Sequence, residues 1–159
     1  MKANIMRKLM LGVLLLAAVS TAPLVYSHCQ MPCGIYDDPA RLAAIAENIT
    51  TIEKAMKSIE ELSAQQKPNM NQIVRWVNTK EEHAEEIAHT VSFYFMAQRI
   101  KPVDKSDATG YEKYIKQLTL LHEMIIYSMK AKQTTDLANV EKLRSLLADF
   151  RIAYLGEGA

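Results

Sequence analysis

Glycine and proline are scarce, with five of each in 159 residues, which sets aside collagenous and low-complexity chains. Phenylalanine occurs three times. No stretch sustains the Val/Ile/Thr alternation of half-buried strands, which argues against a β sandwich. An excess of charge of one sign is also missing, since 19 Lys and Arg face 18 Asp and Glu. With no basic stripe on any helix that can be drawn, nucleic-acid binding has no electrostatic footprint here. Cysteine appears only twice, as Cys29 and Cys33. What the chain does have is 49% hydrophobic residues, enough for one domain with an adequate core. An all-helical chain is the leading class.

Residues 1–27 differ from the rest. Lys2, Arg7 and Lys8 precede an apolar run from Leu9 to Val19, followed by Ser20-Thr21, the layout of a cleavable signal peptide. The run is about half of the ~20 residues needed to span a bilayer. Val25-Tyr26-Ser27 supplies compact side chains ahead of a cut after Ser27. Lipoprotein processing at Cys29 is the poorer reading, because His28 rather than a small residue precedes it. The expectation is a leader removed by signal peptidase or another protease, an exported periplasmic or extracellular product that starts at His28, and no membrane attachment afterwards. That product is mildly acidic, because three basic residues and no acidic one leave with the leader.

Four amphipathic helices with brief connections follow. After Asp37-Asp38-Pro39, an acidic cap with proline at the first turn, apolar residues fall at Leu42, Ile45, Ile49, Ile52, Met56 and Ile59. Steps of three and four make one helical face, predicted to run to about Leu62. A second helix is predicted from Pro68-Asn69 to about Arg99, with Met70, Ile73, Val77, Ala84, Ile87, Val91 and Tyr94 inward and Lys101-Pro102 as its stop. A third is predicted from about Thr109 to Lys132, with Tyr111, Ile115, Leu118, Leu121 and Ile125 inward. The fourth is predicted from Thr135 to Leu155, with Leu137, Val140, Leu147, Phe150 and Tyr154 inward and Gly156 ending it. Comparable lengths and short turns favour an antiparallel up-down-up-down four-helix bundle. The organisation expected is a leader over 1–27, a metal-binding hook over 28–38 and the bundle over 39–159.

The concentration of soft ligands is His28-Cys29-Gln30-Met31-Pro32-Cys33-Gly34-Ile35-Tyr36. Cleavage after Ser27 would expose the α-amine and imidazole of His28, beside the amide of Cys29 and the thiolates of Cys29 and Cys33. Amine, amide nitrogen and Cys29 sulfur form two fused five-membered chelate rings in one plane, and Cys33 can close the square. Pro32 limits the turn between the thiolates, and Gly34 lets the chain leave without a Cβ in the way. Two nitrogens and two sulfurs in a plane suit nickel(II) or copper(II), whereas zinc prefers a tetrahedron that this set leaves one ligand short. A Cys29–Cys33 disulfide is the ordinary alternative in an exported protein.

His-Cys-x-x-Pro-Cys-Gly-x-Tyr resembles the nickel hook of nickel superoxide dismutases, and Arg75 with Lys80-Glu81-Glu82-His83-Ala84-Glu85 resembles their second-helix segment. The resemblance implies a four-helix bundle that assembles as a homohexamer, with one nickel ion per chain, Ni(II)/Ni(III) cycling, and dismutation of superoxide to dioxygen and hydrogen peroxide. It implies that His28 binds nickel through its amine and, when oxidised, its imidazole, that Cys29 gives its amide nitrogen and sulfur, and that Cys33 gives the second sulfur. Tyr36 would stand over the open face as the catalytic residue, and Arg75 would help to position the imidazole. Some relatives lose a pro-segment in the cytoplasm, a second route to the same N-terminus. The chain differs from the family's pattern at Gln30, where many members carry Asp, at Arg99, where they carry an aromatic, and at Ala44-Ile45, where some carry a Glu that steadies the imidazole.

Glu86-x-x-His89 has the spacing of carboxylate-bridged di-iron bundles, but Thr119 stands where a second motif ending at His122 would need its Glu. His83, His89 and His122 are therefore expected as surface or interface residues. The methionines, including Met56, Met70, Met124 and Met129, are expected as core filler, and Glu81-Glu82 and Glu85-Glu86 as a solvated face. Two functions remain at this point: a nickel-dependent superoxide dismutase, and an exported helical-bundle binding or assembly module whose Cys29–Cys33 pair is a disulfide.

Overall fold

Asp37 starts the first helix, its carboxylate accepting from the Ala40 amide at 3.0 Å, with proline in the first turn. A computed structural model of the chain describes residues 30–156, so His28, Cys29 and the leader over 1–27 lie outside the described residues. Helix α1 is Asp38–Ser63. Helix α2 is Met70–His89, capped by Asn69, and runs without a break into a π-helical continuation, Thr90–Arg99. Helices α3, Ala108–Gln133, and α4, Ala138–Leu155, complete the set. Asp107 caps α3 by accepting from the Gly110 amide at 3.0 Å. Gly156, at φ 100°, ends α4, its N–H donating to the Ile152 carbonyl at 3.0 Å.

Each helix packs against its neighbours in sequence, and α4 returns against α1, so the four form the expected bundle. All six predicted α1 positions, from Leu42 to Ile59, are buried. The first five of them, Leu42 to Met56, meet Ala84, Ile87 and Val91 of α2, Leu121 and Met124 of α3, and Val140, Leu143 and Phe150 of α4 in one core. Phe95, from the π-helical stretch, packs edge-on against Phe150 and Tyr154 at 5.1 and 5.6 Å between ring centres.

The inward assignments fail at Met70, Ile115 and Leu137, which are exposed. Met70 opens α2 and Leu137 precedes α4, ends that reach past the partner helices that would cover them, and Ile115 lies in the second turn of α3. Met129 is exposed as well, so of the four methionines named the filler reading holds for Met56 and Met124. Lys80 is the converse case, a charge in the core with 3% of its surface exposed. Its ammonium donates to the Ala131 carbonyl at 2.8 Å and to the Lys132 carbonyl. It thereby satisfies the orphan acceptors at the C-terminus of α3, where the helix dipole favours a cation. Among the described residues no helix is long and apolar enough to cross a membrane.

Candidate metal centre

Residues 30–37 lead into α1 and lie against the end of the π-helical stretch. Met31-Pro32 is a cis peptide and Gly34 has φ 79°, a left-handed conformation that suits glycine. Cys33 between them is exposed. Met31 and Ile35 are exposed at 70% and 80%, so the turn stands open among the described residues.

Tyr36 is held from three sides. Its hydroxyl donates to Gln98 Oε1 at 3.4 Å, the Arg99 guanidinium sits 4.4 Å from its ring centre, and Tyr94 meets it edge-on at 5.8 Å. A guanidinium over an aromatic face and an edge-on pair are both attractive through the ring quadrupole. Gln98, itself buried, also donates from Nε2 to the Met31 carbonyl at 3.2 Å and to the Phe93 carbonyl at 2.8 Å.

Behind Tyr36 lies a hub built on Asp38. Arg99 donates from Nε and Nη2 to its two oxygens at 2.9 and 2.7 Å, Tyr94 donates at 2.6 Å, and Tyr154 of α4 donates at 2.7 Å. Burial pushes the Asp38 carboxyl up, but the hydrogen bonds from Arg99, Tyr94 and Tyr154 outweigh it and hold the group below its ordinary 3.8. Tyr94 is pushed up to about 12, first by burial and then by its bond to that carboxylate. Tyr154 is raised for the same two reasons. The hub therefore ties three helices to the base of the hook as a fixed carboxylate among protonated partners.

Because the folded Asp38 binds its proton less readily than the unfolded one, its contribution is full above the unfolded value and is lost as pH falls through the lower folded value. Asp38→Asn should cost about 3 kcal/mol at neutral pH, since it leaves the Arg99 charge without its partner. It should also flatten the acid limb of the stability profile. Urea unfolding of both proteins between pH 7 and pH 3 measures this, and a variant as stable as the parent at pH 7 would contradict it.

A cleft of about 320 Å³ opens beside the turn, lined by Met31, Pro32, Arg41, His89, Thr90 and Phe93 among others. Arg41 is exposed there, its guanidinium 5.3 Å from the centre of the Tyr94 ring. No ion pair involves it among the described residues.

The remaining site candidates fall elsewhere. Arg75 is exposed in the second turn of α2, and the helix rise puts it roughly 30 Å from Arg99, so one chain does not bring it to Tyr36. His89 and His122 are exposed, and His83 is half-buried with Nδ1 at 2.7 Å from Asn48 Oδ1. Among the described residues no three His, Cys, Asp or Glu side chains group as a metal site. The donors fit nickel: Cys33 presents an accessible sulfur on a turn held to the bundle, and the sequence directly ahead of it supplies a second thiol and an imidazole. Sequence reasoning did not single out Asp38, Arg41, Gln98 or Tyr154 for the site. The signal available was the Tyr94–Gln98 spacing of four, which puts both on one helical face.

The family model for nickel-containing superoxide dismutase matches residues 23–157. A curated relative, superoxide dismutase [Ni] from Streptomyces seoulensis, is 29% identical over 124 residues, which cover 78% of this chain and 82% of the relative. No solved structure matches the chain.

Proposed function

Since the chain belongs to the nickel-containing superoxide dismutase family, it is a nickel-dependent oxidoreductase that disproportionates superoxide, and we propose that His28, Cys29 and Cys33 hold its nickel. The observation that carries the assignment is the coincidence of the hook sequence with an exposed Cys33 on a turn docked against Gln98. Nickel, when bound, supplies the one-electron Ni(II)/Ni(III) couple, which thiolate and amidate donors bring into reach of both half-reactions. Two superoxide anions and two protons become one dioxygen and one hydrogen peroxide.

The protein's own tasks are to bind the metal, admit an anion and hold protons. His28 would bind through its amine and imidazole, Cys29 through its amide nitrogen and sulfur, and Cys33 through its sulfur, with Pro32 and Gly34 shaping the turn. Tyr36 offers a hydroxyl oriented by Gln98, and would stand over the open face of the metal. Arg99 carries charge that Asp38 already balances, whereas Arg41 offers a positive field beside the cleft. A cation at such a mouth raises the encounter rate of a small anion.

Removing the hydroxyl while keeping the ring tests the role of Tyr36. Tyr36→Phe should retain nickel and alter saturation at high superoxide or inhibition by peroxide, as followed by rapid-mixing kinetics. Unchanged kinetics would reduce Tyr36 to a packing partner of Tyr94. Three further proposals rest on the resemblance and the leader pattern: assembly as a homohexamer, removal of residues 1–27 by signal peptidase or another protease, and export to the periplasm or beyond the cell. A sedimentation mass other than six chains would refute the first. A mature N-terminus other than His28 would refute the second, and recovery of the mature protein in the cytoplasm the third.

A further inference from the structure

Gln98 makes more of its polar contacts to the hook than packing requires. It is buried at 8% exposure near the end of the π-helical stretch, yet its carboxamide reaches two points of the N-terminal segment. Both acceptors of Nε2 are carbonyls, Met31 at 3.2 Å and Phe93 at 2.8 Å. A carbonyl cannot donate, so the NH2 must face them and Oε1 is left to accept the Tyr36 hydroxyl at 3.4 Å. Met31 and Tyr36 flank Pro32-Cys33-Gly34-Ile35 on either side. One side chain therefore closes both ends of the turn that carries Cys33, and its bond to Phe93 O ties that closure to a helix.

We propose that Gln98 is a positioning residue for the metal centre, holding the Cys33 turn at the spacing that its thiolate needs; this rests on the reading of Cys33 as a ligand. Only glutamine meets all three requirements. A methionine of similar size would fill the space but remove the donor from the Met31 and Phe93 carbonyls, which lie on exposed residues where water can replace it at small cost to stability. A glutamate would set a carboxylate against those same two carbonyls. An asparagine is one methylene too short to span them. Outer residues that orient a metal ligand commonly change metal affinity by about 10–100-fold when altered.

The test compares the parent protein, Gln98→Met, Gln98→Glu and Tyr36→Phe, each beginning at His28. Nickel release into excess EDTA is followed through the thiolate-to-nickel absorption, beside thermal unfolding. Gln98→Met should release nickel about 10-fold faster than the parent while unfolding at a similar temperature, and Gln98→Glu should be faster still. Tyr36→Phe removes one of the three bonds and should stay within about threefold. A second readout needs no metal: a nitroxide on Cys33 in the metal-free Cys29→Ser protein should gain a fast-motion component when Gln98→Met is added. Parent-like nickel release, or a label whose motion does not change, would overturn the proposal. If the parent itself binds no nickel but the label still loosens, Gln98 holds the turn and it is the ligand assignment that fails.

Discussion

Cys33→Ser is expected to abolish superoxide dismutation, to below about 1% of the parent rate, because a hydroxyl cannot replace a thiolate in stabilising the oxidised metal. Cys29→Ser should do the same. The bundle should be indifferent, since Cys33 is exposed and exposed substitutions stay within about 0.5 kcal/mol. The helical core from Leu42 to Phe150 makes no use of Cys33. Superoxide decay, nickel content and urea unfolding on the same preparations separate the two effects. Activity that survives either change, with folding intact, would remove the thiolate centre.

The second large effect joins targeting to chemistry. The α-amine of His28 does not exist until the bond after Ser27 is cut, and in the uncut chain an amide nitrogen stands in its place. An amide is a poor donor unless deprotonated, and a preceding peptide would crowd the plane of the ligands. A chain with a single extra Ala before His28 should therefore bind nickel weakly and dismutate superoxide at the background rate, although its bundle is unchanged. Cleavage would be the activating step, and nickel would have to reach the thiolates before an oxidising compartment joins them. Equal nickel content and equal activity in the extended and scarless chains would show that the terminal amine is not a ligand.

The bundle was legible because its signal is periodic and repeated. Every predicted α1 position is buried, and the caps at Asp37 and Asn69 and the stop at Gly156 stand where residue chemistry places them. What periodicity of 3.6 could not show is the π-helical stretch over Thr90–Arg99, from which Gln98 and Arg99 reach the hook. Arg99 stood out as a departure from the family's aromatic, but its use as the partner of Asp38 depends on a contact across 61 residues. Asp38 itself reads in sequence as a helix start, because nothing local announces the tyrosines from α4 and the π-helical stretch that converge on it. Lys80 breaks the rule that a charge marks a solvated face, since the acceptors that satisfy it belong to α3. The hook was legible for the opposite reason: its chemistry is packed into nine consecutive residues, so no long-range contact was needed to see it. Arg75 was read for the His28 imidazole, which lies outside the described residues.

One measurement bears on the central claim most directly: nickel per chain and superoxide consumption of the protein that begins at His28, reduced and reconstituted with nickel before exposure to air. The expected result is close to one nickel per chain, retained through desalting, with dismutation that scales with nickel content. A metal-free protein with an intact Cys29–Cys33 disulfide and no dismutation beyond the uncatalysed rate would contradict it.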